Sequence, residues 1–162
     1  MFEDFYSTFA TVSLTVTGLW MYVASSRFRD WMTHRDHFRR ASAISVQLAF
    51  PGVMCLFALI DPGSRALWRV SFGVTSVAAI ILLVNLMRLS SGAWAVANTI
   101  GMWLAVALFA CVCIVAVAPG IVDDLGARQS EFFLFIVLLL DGITVGWLML
   151  FDTFPDDTQV AP

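Results

Sequence analysis

"FLFIVLLLDGITVGWLMLF", residues 133–151, contains a single charged residue, Asp141. Water does not reach the middle of a bilayer, so a run this apolar must close its backbone hydrogen bonds within itself, and a helix does so. Its length suits a hydrocarbon core about 30 Å thick. Outward from it, similar runs stand at roughly 5–24, 43–60, 66–89 and 94–118, and this one extends over roughly 131–151. The expected fold is all-α: a polytopic integral membrane protein whose residues 1–151 form a bundle of five transmembrane helices, with a flexible cytoplasmic tail at 152–162. Composition agrees, at 60% hydrophobic and 13% charged residues with a mean hydropathy of +0.86.

Orientation follows from the basic residues, all of them arginine. The first connection, an interfacial segment at 25–42, holds Arg27, Arg29, Arg35, Arg39 and Arg40, and Arg88 flanks the third connection. Both are expected in the cytoplasm, which sets the N-terminus outside and the C-terminus inside. A multi-pass protein of a bacterial inner (plasma) membrane is the expectation. Glu3 and Asp4 stand at the outer mouth. The outer side as a whole carries Glu3, Asp4, Asp61, Asp123, Asp124 and Glu131 against Arg65, Arg69 and Arg128, a bias that concentrates cations. A cleaved signal peptide is not expected, because the leader is acidic and the basic cluster follows the first apolar run. Trp20, Trp31, Trp94 and Trp147 fall near the inner boundary and Trp68 near the outer one, where amphipathic rings prefer to sit.

Several function classes drop out. A net charge of -3 leaves no basic surface for nucleic acid. Motifs of the HExxH, GxSxG, Walker and dinucleotide types are absent, and an aspartyl dyad in the membrane needs a second carboxylate as deep as Asp141, so an enzyme is not expected. No histidine occurs within a span to ligate haem, and no cofactor is expected. Cys55, Cys111 and Cys113 lie in apolar runs and read as small hydrophobes. The outer loops share a DxGxR pattern at Asp61–Arg65 and Asp124–Arg128, but their flanks do not match, and these are ordinary loop residues.

The first span is rich in hydroxyls. At about 100° per residue, Ser7, Thr8, Thr11, Thr15, Gly18 and Tyr22 fall in one arc, while Phe5, Phe9, Val12, Val16, Leu19, Trp20 and Val23 fill the opposite one. Such a stripe either lets another helix approach closely, the preferred reading, or faces water in a pore or cavity. Ser13 and Thr17 lie outside it and are expected to bond the carbonyls four residues back.

Asp141 sits about 15 Å into the fifth span, near the midplane, where an unpaired carboxylate is costly. It should face the interior and have partners, or be protonated. Thr15, Pro51-Gly52 and Thr75-Ser76 are expected at similar depth, with Thr144 one turn away. Pro51 removes a backbone donor and is expected to break its helix, freeing a carbonyl. Gly142 and Gly146 form a GxxxG pattern that admits another backbone. Arg69 is an alternative, purely structural partner for Asp141, and Gln47, Asn85 and Asn98 read as interhelical glue nearer the inner side.

In the basic connection, Asp30, His34 and His37 share one helical face and could hold a divalent metal, though nothing fixes a fourth ligand. An aromatic-basic anchor on the bilayer surface is the preferred reading, with Arg27, Arg29, Arg35, Arg39 and Arg40 facing lipid. Taken together, the residues point to a transport protein, a homo-oligomeric channel or carrier for protons or small cations. The candidate pathway is Asp141, Thr144, Thr11, Thr15, Thr75, Ser76 and Pro51. The rival class is a non-transporting accessory, assembly, sensor or lipid-binding subunit.

Overall fold

The computed structural model describes residues 2–27, 35–61, 64–89, 96–118 and 124–151. They form five helices: α1 (Phe2–Ser26), α2 (Arg35–Ile60), α3 (Arg65–Leu89), α4 (Val96–Val117) and α5 (Asp124–Phe151). The protein is all-α, as expected. Four helices are long and apolar enough to cross a membrane, over Asp36–Ile60, Arg65–Leu89, Ala97–Val117 and Gln129–Leu150. At 25 residues α1 is also long enough, about 37 Å at the helical rise, but its serines, threonines and tyrosines break up its apolar run and it is not among the four.

Packing divides the helices in the same way. α2, α3, α4 and α5 form a ring in which each touches the next and α5 closes back on α2, while α1 lies along α2 outside the ring. Inside it, Ile44, Leu48 and Met54 of α2 share a core with Phe72 and Leu83 of α3, Met102 and Phe109 of α4, and Phe135 and Leu138 of α5. The outer surface is also aliphatic: Val70, Val74, Val77 and Ile81 of α3 recur every three or four residues and are exposed. In water such a surface would aggregate, whereas in lipid it is solvated.

The helices alternate in direction. The starts of α1, α3 and α5 meet at one end, where Phe5 stacks on Phe132 at 3.7 Å between centroids and Tyr6 approaches Phe72 edge-on at 6.3 Å. Trp68, near the start of α3, marks this end. At the other, the Arg39 end, the Arg39 guanidinium donates to the Leu89 carbonyl, the last of α3, and lies 3.4 Å from Asp36. A cation on a helix C-terminus satisfies an orphan carbonyl and complements the helix dipole.

Three boundaries differ from the sequence reading. α2 begins at Arg35, so half of the basic connection is its first two turns, and α5 begins at Asp124, a turn or two before its apolar run. Helices can project beyond hydrocarbon, because polar side chains there meet water and headgroups. α2 also runs unbroken through Pro51. Beside that proline, Ser13 donates to the Leu48 carbonyl at 2.5 Å, so a neighbouring helix steadies the turn that lacks a donor. The tail at 152–162 lies outside the described residues.

Candidate functional site

Asp141 projects from the middle of the α5 candidate span toward α2 and α4. Gln47 of α2, fully buried, donates through Nε2 to Asp141 Oδ2 at 2.7 Å and also lies 3.4 Å from the Leu138 carbonyl. The approach depends on small residues. A Cβ on Gly101 of α4 would stand 2.4 Å from Val145 Cγ2 and 3.3 Å from Asp141 Oδ1, and one on Gly142 would meet Leu48 at 2.8 Å and Gln47 at 3.4 Å. Glycine at these two positions lets α4 and α2 close on the carboxylate.

Asp141 itself is half-buried, and buried polar groups share its level. Trp68 and Glu131 are joined by a hydrogen bond, and Ser76 and Asp141 lie eight and ten residues further along helices running the same way, which places both about 12–15 Å from that bond. Ser76 is fully buried, and Asn98, one turn before Gly101, is 2% exposed. Ser76 Oγ, Asn98 Oδ1 and Gln47 Oε1 have no hydrogen-bond partner.

The sequence-based partners fare unevenly. Ser76 and Pro51 are buried and Thr75 is half-buried, whereas Thr11, Thr15 and Thr144 are exposed. Each of those three hydroxyls donates to the carbonyl four residues back, at 2.9, 2.7 and 2.8 Å. The whole arc of Ser7, Thr8, Thr11, Thr15, Gly18 and Tyr22 is exposed, so the stripe faces away from the ring. Thr17 bonds its own helix as expected, but Ser13 crosses to α2 instead. The buried face of α1 is Tyr6, Phe9, Ala10, Ser13 and Trp20, with Val12 and Leu19 exposed. The GxxxG pair receives side chains of this same chain: Leu48 and Gln47 at Gly142, and the Trp20 ring at Gly146.

Gln47, read as distant glue, is the partner that sequence reasoning missed. Its signal was available, since Gln47 and Asp141 are isolated polar residues deep in two apolar runs, but the relative register of two helices is not written in either. Glu131 is a second correction. Counted among the outer acids, it is fully buried and accepts from Trp68 Nε1 at 3.0 Å. Trp20 likewise turns inward, donating toward the Ala41 carbonyl and Ser45 Oγ, each at 3.2 Å.

Glu3 and Asp4 are exposed in the first turn of α1, where carboxylates favour the helix dipole. Of the arginines expected to face lipid, Arg27 is exposed, but Arg40 is only 6% exposed and Arg39 caps α3. Arg29 and the Arg35 side chain lie outside the described residues, as do Asp30 and His34 of the metal set, while His37 is half-buried.

Two apolar grooves, of about 490 and 320 Å³, mark the surface: one between α3 and α4 beside Gly73 and Val117, the other between α1 and α5 beside Trp20 and Gly146. Asp141 lines neither. The class these features define is a multi-pass membrane protein with a carboxylate held inside its helix ring. Comparison with protein-family models, curated proteins and solved structures finds no match to this chain.

Proposed function

We propose that the protein is a membrane transport protein, a homo-oligomeric channel or carrier for protons or small cations. In this reading all five helices cross the bilayer, with the N-terminus outside and the C-terminus in the cytoplasm. The observation that carries it is Asp141, a carboxylate mid-span whose contact is a neutral amide, Gln47, at 2.7 Å. Inserting a carboxylate at that depth costs about 2.5–3.5 kcal/mol on the mild scale. An ion pair or an apolar residue would serve packing better than this arrangement, so retention of the acid fits a group that binds something.

The exposed hydroxyl stripe supports the oligomer. It puts small, polar positions on the outside of the protomer, where a second copy could approach closely or leave a lined gap. The acidic residues Glu3 and Asp4 at the start of the same helix would draw cations to that end.

A second reading, a non-transporting accessory subunit, is favoured by one observation. Thr11 and Thr15 already bond their own helix, so the stripe needs no water. Flux into sealed liposomes under H⁺, Na⁺ and K⁺ gradients, for wild type and Asp141→Asn, separates the two. Transport predicts flux above empty vesicles that is lost in a folded Asp141→Asn variant. Absence of flux from a well-folded wild type rejects transport in favour of the accessory reading.

A further inference from the structure

Resting on the transport reading, we propose that the species handled at Asp141 is the proton, taken up on the carboxylate in a region where the buried amide oxygens of Gln47 and Asn98 lack donors. The orientation of Gln47 is fixed by its nitrogen, which faces two acceptors, Asp141 Oδ2 at 2.7 Å and the Leu138 carbonyl at 3.4 Å. Turned over, the amide would set its oxygen against the Leu138 carbonyl and against ionised Asp141. Oε1 is therefore left as an acceptor in a side chain with no exposure, and it has no donor. Asn98 repeats the pattern from α4: it is 2% exposed, its Oδ1 has no donor, and it stands one turn from the glycine that abuts Asp141 Oδ1.

Two buried acceptor oxygens of the centre, Gln47 Oε1 and Asn98 Oδ1, thus lack donors. Ionised Asp141 adds two acceptor oxygens, whereas the protonated acid is itself an O–H donor. One proton, delivered with or without a bound water, changes the balance in the direction the amide oxygens need. A metal cation fits less well, because the N–H side of Gln47, not its oxygen, is turned to the carboxylate. In the step itself, one O–H bond breaks in hydronium and one forms at Asp141. Release reverses this into water on the other side, and no electrons move.

Few other charges lie close. On α2, Arg40 is seven residues from Gln47 toward the Arg39 end on the same face, and Cys55 lies eight residues the other way. α3 brings Ser76, with Arg69 and Arg88 seven and twelve residues from it, and α4 between Val96 and Val117 holds cysteines but no charged residue. Glu131 is ten residues off on α5, and α1 has no charged residue between Asp4 and Arg27.

The test is infrared difference spectroscopy of the full chain in phospholipid vesicles during a pH titration, with flux measured on the same vesicles. The expected result is a protonated-carboxyl C=O band that titrates in wild type and is missing from Asp141→Asn. Asn98→Leu, which removes an acceptor without touching the carboxylate, should shift that band to higher frequency. A merely structural asparagine would leave the band in place. A titrating band without flux keeps the proton site and rejects transport. Na⁺ or K⁺ flux without a titrating band rejects the proton site and keeps transport, and absence of both rejects the two together. A band that persists unchanged at every pH also overturns the proposal.

Discussion

Glu131 and Asp141 lie ten residues apart on α5, and both are turned into the protein, but their neighbours differ in kind. Glu131 accepts from an indole at the Trp68 end, where Tyr6, Phe9, Phe72, Phe132 and Phe135 contact one another at centroid distances of 5.3–6.3 Å. Asp141 is bounded by glycines, an amide donor and acceptor oxygens that lack donors. Burial alone therefore does not mark a functional carboxylate. A rigid aromatic cluster surrounds one acid, while glycines and acceptors without donors surround the other, and the transport reading assigns the function to the second.

The largest effect should come from filling the space beside Asp141. Gly101→Leu drives a side chain into Val145 and the carboxylate, and Val145, β-branched on a helix, has little rotamer freedom to yield. Overpacking of this kind costs about 3 kcal/mol, read as a lower unfolding midpoint in detergent, with flux lost as well. Next, Trp68→Phe removes the donor to Glu131 while keeping an aromatic ring. Loss of that bond at a buried carboxylate should lower stability by about 1.5–3 kcal/mol, without removing the Asp141 infrared band. If Trp68→Phe abolished flux while stability held, the contrast between the two acids would fail.

Much of the ring was legible in the sequence because lipid leaves the backbone little choice: the apolar runs at 43–60, 66–89, 94–118 and 131–151 all became helices. Asp141 stood out for the same reason, as a lone charge among aliphatic residues. Its partner did not, because pairing Gln47 with Asp141 depends on how far α2 slides and rotates against α5. That register is set by contacts such as Leu48 in the notch at Gly142. Glu131 misled because its run begins there, and a boundary residue can point to water or inward with the same sequence. On α1 the hydroxyls were correctly sorted into an arc, but an arc does not say whether it faces the bundle or the bilayer.

The smallest effects sharpen that last point. Ser13→Ala deletes the bond to the Leu48 carbonyl beside Pro51 and should cost about 0.6 kcal/mol, the average for an interhelical hydrogen bond in a membrane. Thr11→Val and Thr15→Val should leave the unfolding of the protomer within about 0.5 kcal/mol of wild type, since those side chains are exposed and bond their own helix, and surface changes rarely exceed this. Gly18, with nothing within 4 Å of a built Cβ, should accept Ala equally well. Because the protomer is indifferent to all three positions, any change they cause in oligomer size or flux must arise outside it. Crosslinked oligomer size measured alongside flux then divides the cases. Loss of both places the stripe between subunits, loss of flux alone places it along a path, and no change in either leaves it facing lipid.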